Sequence, residues 1–299
     1  MNMFRTFDEI EEYILSNNII KKIALCGAHD EPALSALVEA KRKGVVEGVL
    51  IGNKPEILNL LAELKEKPED YEIIHEPDEV VAAKMAVAMV KEGKADIPMK
   101  GLMQTSSYMR AILDKTSGLL PEGRILSECT PFEYPDQQRI MFVTDCAVNI
   151  NPDLEAKVHL VRNAVELAHC FGIKNVKVAA LSSLEKVNPK MPSTVEADTL
   201  ARTQWDDCVV EGPFALDNAV SEEAAKHKGV ESKVAGKADV LLCSCLDMGN
   251  VIHKGLNFFA HFKTAGALCG TESPVILTSR TDNPNTKYNS ILTAVLQSL

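Results

Sequence analysis

Short apolar runs alternate with longer amphipathic runs along almost the whole chain, and each change of period marks a change of element. Thr6-Phe7-Asp8-Glu9 reads as a capping box that opens a first helix, followed by an apolar strand over 23–26. A helix over about 31–43 stops at Gly44; a strand then covers 46–51, a helix about 55–65 and a strand 71–75. A helix over about 78–92 stops at Gly93, and a strand at 95–99 completes the series. Alternation of this kind requires crossover connections, which are right-handed and build a parallel sheet.

The rhythm breaks between Arg124 and Thr144. Two β-rich runs there, 124–132 and 139–144, flank Tyr134-Pro135-Asp136-Gln137-Gln138, which is a hairpin signature and a place to enter a second lobe. Alternation resumes with helices predicted over 153–170, 193–203, 216–227, 249–261 and 286–297, and strands over 176–181, 208–211, 239–243 and 274–277. The expected fold class is α/β in two lobes of mostly parallel sheet. Residues 1–128 with 275–299 are assigned to the first lobe and 129–274 to the second.

Composition fits that class. Among 299 residues, 46% are apolar but only 5% aromatic, which suits aliphatic helices packed on parallel strands better than an all-β sandwich. No segment approaches the ~20 continuous apolar residues that span a bilayer, and Met-Asn-Met-Phe-Arg-Thr at the start lacks the apolar centre of a signal peptide. A cytoplasmic protein is expected. The eight cysteines agree, being scattered singly apart from Cys243 and Cys245 with no Cys-x-x-Cys pair for zinc or a redox dithiol. A net charge of −10 argues against nucleic acid, whose phosphates are bound through basic surfaces. A small anionic ligand at a local cluster of Arg and Lys remains open.

Two segments offer such a cluster. Met99-Lys100-Gly101-Leu102 leaves the end of a strand through a glycine turn and enters a helix that carries Thr105, Ser106, Ser107 and Arg110. A helix start exposes bare N–H groups, and hydroxyls with a guanidinium beside them make a receptor for phosphate. Thr278-Ser279-Arg280 follows the apolar run 274–277 near the C-terminus. Two arginine-bearing strand ends, far apart in sequence, suggest one cleft between two lobes. The plainer alternative for each arginine is a solvated surface ion pair.

Other motifs fail their own tests. In Gly229 to Lys237 the glycines stand too far apart for a P-loop, Ala238 replaces the required hydroxyl, and the segment precedes a strand instead of following one. No Gly-x-Gly-x-x-Gly fingerprint occurs. The histidines at 29, 75, 159, 169, 227, 253 and 261 lack metal-ligand spacing. Asp145, Asp217, Asp247 and Asp282 lie at strand ends or helix starts, where an N-cap is the commoner role.

Taken together, several stretches resemble the phosphate acetyl/butyryltransferase family, and its butyryl-type members most. They are Met99-Lys100-Gly101-Leu102 with Thr105 and Arg110-Ala111-Ile112-Leu113, Thr144-Asp145-Cys146-Ala147-Val148-Asn149-Ile150, Glu185 to Thr194, Glu211 to Ala219, Val234 to Asp239, Asp247-Met248-Gly249-Asn250 with Lys254, and Leu277-Thr278-Ser279-Arg280. The resemblance covers about 95–290 in collinear order. It implies two lobes like those of isocitrate and isopropylmalate dehydrogenases, with the active site in the cleft between them. It also implies a reversible transfer of a short-chain acyl group, butyryl in the first instance, between CoA and orthophosphate.

By the same resemblance Ser279 steadies the tetrahedral oxyanion, Arg280 binds phosphate, and Lys100, Thr105, Arg110, Asn250 and Lys254 contact substrate. Acetyl-specific relatives carry a catalytic Asp where this chain has Thr286, so Asp282 is the nearest carboxylate for the thiol proton; Gln104 and Glu128 also depart from the butyryl-type pattern. No metal and no redox cofactor are implied, CoA being substrate or product. The implied partners are acyl-CoA, CoA, orthophosphate and further copies of the chain. Competing readings are a phosphate acetyltransferase, a CoA- or phosphate-binding protein with little or no catalysis, and a metal- and NAD-dependent dehydrogenase of the related fold.

Overall fold

Most changes of period in the sequence become changes of element. In the computed structural model, which describes residues 3–279 and 282–299, the first series is α1 (Phe7–Ser16), β1 (Lys21–Cys26), α2 (Glu31–Arg42), β2 (Val46–Gly52), α3 (Lys54–Glu63), β3 (Glu72–His75), α4 (Glu79–Lys91), β4 (Ile97–Lys100) and α5 (Thr105–Ile112). The next is β5 (Ser127–Tyr134), β6 (Arg139–Thr144), α6 (Leu154–Cys170), β7 (Val176–Leu181), α7 (Pro192–Arg202), β8 (Cys208–Phe214), α8 (Leu216–Val220), α9 (Glu222–His227), β9 (Val240–Leu242) and α10 (Leu246–Phe258). β10 (Ala267–Cys269) and α11 (Pro284–Gln297) close the chain.

Two units result: Phe7–Arg124 with Ala265–Leu299, and Met1–Thr6 with Ile125–Thr264. In the first, four parallel strands take the order β3-β2-β1-β4. Segment 275–276 joins by single bridges, Ile276 parallel to Met99 and Val275 antiparallel to Leu268, where the alternation predicts a full strand. Ile23, Leu25, Leu50, Ile51 and Met99 are wholly buried, as strands covered on both faces require. α11 is buried along nearly its whole length from Thr286 to Leu296, so it belongs to the core and is not amphipathic.

In the second unit β5 and β6 form the predicted hairpin, with Cys129 opposite Thr144 and Tyr134 opposite Arg139. β6, β9, β7 and β8 continue from it in that order, all parallel. Phe142 of β6 meets Phe171, which follows α6, edge to face at 5.1 Å between ring centroids. Phe4 N–H donates to Phe171 O at 3.0 Å, which ties the N-terminal residues to this unit. The helix expected over 216–227 is interrupted: Ser221 is extended, and its hydroxyl accepts from Ala224 N–H, making it the N-cap of α9.

α10 carries two glycines with opposite roles. A Cβ on Gly249 would stand 1.9 Å from Asp145 O, whereas one on Gly255 meets nothing within 4 Å. Gly249→Ala is therefore expected to destabilise by roughly 1–3 kcal/mol through forced separation of α10 from the 145–146 backbone. Gly255→Ala should raise stability by roughly 0.4–1 kcal/mol by restricting the unfolded chain. Urea unfolding checks both; the midpoints should move in opposite directions at constant slope.

Candidate active site

Every strand of the first unit's sheet runs the same way, so the loops that leave β1 and β4 emerge together at its carboxyl edge. Their backbones touch there. Gly101 N–H donates to Cys26 O at 2.8 Å and Leu102 N–H to Gly27 O at 2.9 Å. A Cβ on Gly101 would lie 2.3 Å from Gly27 O, and Gly27 itself has φ +68°, so both positions need glycine. The chain returns to the same edge beyond β10: Ile276 N–H donates to Pro98 O at 3.0 Å and Lys100 N–H to Ile276 O at 3.1 Å.

This pairing sets Lys100 level with Leu277, one residue before Thr278. Lys100 is buried at 4% exposure, and its Nζ donates to Gly101 O at 3.2 Å. Its positive charge favours ionisation of Cys26, Asp30 and Glu79, although burial dominates at Cys26 and pushes that thiol up to about 12. Asp282 closes a tight turn: its carboxylate accepts from Ser279 N–H at 2.7 Å, while its own N–H donates to Ser279 O at 3.2 Å. Asn283 caps α11 by accepting from Thr286 N–H at 2.8 Å, and Pro284 is the first helical residue. Ser279 remains exposed. Arg280, assigned to phosphate, lies outside the described residues.

A further cation stands here that the sequence reading missed. Lys287, 2% exposed on the first turns of α11, donates from Nζ to Ser279 O at 2.7 Å and to Thr278 Oγ1 at 3.3 Å. Burial lowers its pKa, against the opposing pull of Asp282 and Asp30. One signal was available in the sequence, because a lysine near the N-terminus of a helix opposes the helix dipole and calls for a compensating reason.

The start of α5 departs from expectation. Gln104 N–H donates to Glu79 Oε2 at 2.9 Å and Ser107 Oγ to Oε1 at 2.7 Å, so a carboxylate of α4 already caps the helix start read as a phosphate receptor. These bonds, the backbone one first, hold Glu79 below the usual carboxylate range. Thr105 is exposed in the first turn; Arg110 is exposed in the last turn, with no hydrogen bond or ion pair among the described residues.

In the second unit, Asp145 is consumed as a loop organiser. Its oxygens accept from Ala147 N–H, Val148 N–H and Asn149 N–H at 2.8, 2.9 and 3.2 Å, and from Asn149 Nδ2 at 2.6 Å. Asn250 is exposed on α10 and spans to Cys146 O at 3.3 Å; Lys254 is half-buried one turn later. Buried and half-buried polar groups also form a chain. Thr264 Oγ1 donates to Asn257 Oδ1 at 2.6 Å, Asn257 Nδ2 meets His253 Nε2 at 3.2 Å, His253 Nδ1 meets Thr130 Oγ1 at 2.9 Å, and Thr130 donates to Glu128 Oε1 at 2.9 Å. Donor order along it makes Nδ1 the protonated nitrogen of His253. His253 and Thr130 carry no sequence motif, so pattern reading passes over them.

Among the described residues, no group of three or more His, Cys, Asp or Glu is placed to hold a metal ion, and no helix is long and apolar enough to cross a membrane. All eight cysteines are free thiols. Burial raises the pKa of Cys26, Cys146, Cys208 and Cys243, so these four stay protonated at neutral pH and are poor nucleophiles.

A profile of the family described as Phosphate acetyl/butaryl transferase matches residues 59–295. This chain belongs to that family. The acyltransferase is 44% identical over 298 residues to the phosphate butyryltransferase of Clostridium acetobutylicum, with 98% of each chain covered. Among solved structures, a branched-chain phosphotransacylase from Enterococcus faecalis superposes with a TM-score of 0.83 at 32% identity, covering 93% of this chain and 99% of the other. A 4-hydroxythreonine-4-phosphate dehydrogenase from Klebsiella pneumoniae, 13% identical with 93% and 100% covered, reaches a TM-score of 0.51 and shares the fold alone. The α/β class with dehydrogenase-like topology, expected from sequence, is therefore the fold of this acyltransferase.

The Glu79 cap gives a pH-dependent contribution to stability. A carboxyl held below its ordinary pKa stabilises the fold when ionised, above its unfolded value, and that gain disappears as pH falls through the folded one. Glu79→Gln should lower stability at pH 7 by roughly 1 kcal/mol, as losses of helix caps do. Urea midpoints of the two proteins should draw together as pH falls below the ordinary glutamate range.

Proposed function

We propose that this chain catalyses the reversible reaction of a short-chain acyl-CoA, butyryl-CoA first and acetyl-CoA as the alternative, with orthophosphate to give acyl phosphate and CoA. One observation supports the reading most. In a chain 44% identical to a phosphate butyryltransferase, buried Lys287 donates to Ser279 O, and buried Lys100 ends the strand beside that segment at the carboxyl edge of a parallel sheet. Buried ammonium groups beside an exposed hydroxyl suit a multiply charged oxyanion.

In this reading Arg280 and Lys100 hold the phosphate dianion against the thioester. Thr105, Arg110, Asn250 and Lys254 hold the remainder of the substrates. A phosphate oxygen attacks the carbonyl carbon, the carbonyl oxygen takes up negative charge, and Ser279 donates to it. Collapse breaks the C–S bond. The departing sulfur has a free pKa near ~8.5 and needs only one proton, for which Asp282 is the assigned carrier. No metal or redox cofactor is needed for these steps. We assign the enzyme to the cytoplasm, as a homo-oligomer.

Loss of thioester absorbance in a mixture of pure protein and butyryl-CoA tests the reading, and it should require orthophosphate. A thioester loss independent of phosphate, or none at all, would refute it. Ser279→Ala should lower kcat by about 10²-fold or more with little change in KM, as for a donor acting on the oxyanion. Arg280→Lys should lose most activity and raise the phosphate KM, because an ammonium cannot make the two-pronged contact of a guanidinium. Extensive dialysis against EDTA should leave the rate unchanged.

A further inference from the structure

Lys287 is an expensive residue for the fold to keep. The residue is 2% exposed, it stands near the start of α11 where the helix dipole repels a cation, and the hydrogen-bond partners of its ammonium are two uncharged oxygens, Ser279 O at 2.7 Å and Thr278 Oγ1 at 3.3 Å. Among the described residues it makes no direct ion pair. The carboxylate nearest in sequence, Asp282, is engaged with Ser279 N–H. Such a cation is incompletely compensated until another anion arrives.

We infer that Lys287 is a positioning residue for acyl transfer: its ammonium clamps the segment that presents Ser279 and supplies fixed positive charge for the phosphate dianion. The inference rests on the acyltransferase reading above. Two consequences separate it from a merely structural role. First, charge matters as well as shape, so arginine should substitute better than glutamine. Second, phosphate binding must weaken when the amine loses its proton, and burial moves that loss below the ordinary lysine range. The groups in its field are Asp282 from the turn before α11 and Asp30 from the loop after β1; His29, Glu31 and Lys100 act on Asp30 in turn. Lys100 is the other cation that could titrate at alkaline pH, so the experiment must tell the two apart.

The test follows loss of butyryl-CoA thioester absorbance in the acyl-phosphate-forming direction, with orthophosphate varied, from pH 8 to about 10.5, above the range in which phosphate itself titrates. Turnover by the wild type establishes the acyltransferase reading on its own; if there is none, that reading fails before any variant is made. Given turnover, the wild-type phosphate KM is expected to rise with pH across this window while the butyryl-CoA KM stays level. Lys287→Gln should raise the phosphate KM at least tenfold at pH 8 and flatten the alkaline rise. Lys287→Arg should recover most of the pH 8 affinity and also flatten the rise, since a guanidinium stays charged.

A wild-type phosphate KM that is flat to pH 10.5 overturns the inference without any variant. So does an alkaline rise that persists in Lys287→Arg, which would assign the titration to Lys100. A folded Lys287→Gln with wild-type phosphate KM overturns it as well, and equal damage by Gln and Arg at unchanged urea midpoint reduces Lys287 to packing.

Discussion

Two main-chain hydrogen bonds, Ile276 N–H to Pro98 O and Lys100 N–H to Ile276 O, bring a segment near the C-terminus alongside β4. Everything at the carboxyl edge of that sheet depends on them. Because parallel pairing sets register, placing Ile276 beside Met99 carries Thr278 and Ser279 past the end of β4, level with the exit where Lys100 turns into Gly101. The next helix, capped by Asn283 with Pro284 as its first residue, brings Lys287 Nζ to the Ser279 carbonyl.

Charge at that edge is arranged by partial compensation. Asp282 is occupied with the Ser279 amide, and Asp30 feels both Lys287 and Lys100 while burial holds its pKa up. Glu79 takes the start of α5 for itself. A helix start is attractive to any anion, and an internal carboxylate bound there stabilises the fold at the expense of an open receptor. Buried positive charge thus collects at the end of β4 and the first turns of α11, whereas the start of α5 is already capped by a carboxylate.

The second unit uses polar groups in a more closed way. Asp145 spends its side-chain acceptor capacity on the loop 147–149, while its backbone oxygen lies so close to α10 that position 249 must be glycine. The chain from Thr264 through Asn257, His253 and Thr130 to Glu128 gives each side chain a partner on the next. Connected chains of this type favour one arrangement, since removing a member takes a hydrogen-bond partner from its neighbour.

Local signals were enough for the element series. Apolar runs of strand length, glycine stops at Gly44 and Gly93, and the Tyr134-to-Gln138 turn are set by short-range sterics and periodicity, so most helices and strands, the α/β class and the hairpin were legible without any tertiary information. Ser279, Lys100 and Asp282 could be singled out for the same reason, as residues at strand ends. What adjacency does to them could not be read. Glu79 reaches the start of α5 only because α4 packs on that helix; Lys287 is hidden in a helix that a sequence pattern treats as a closing element. Hydrogen bonds and desolvation act between groups separated by tens or hundreds of residues in sequence but a few ångströms in space. The sequence by itself therefore determined which chemical groups stand at the ends of the strands, and only the tertiary structure decided which of them are already neutralised and which still face an incoming anion.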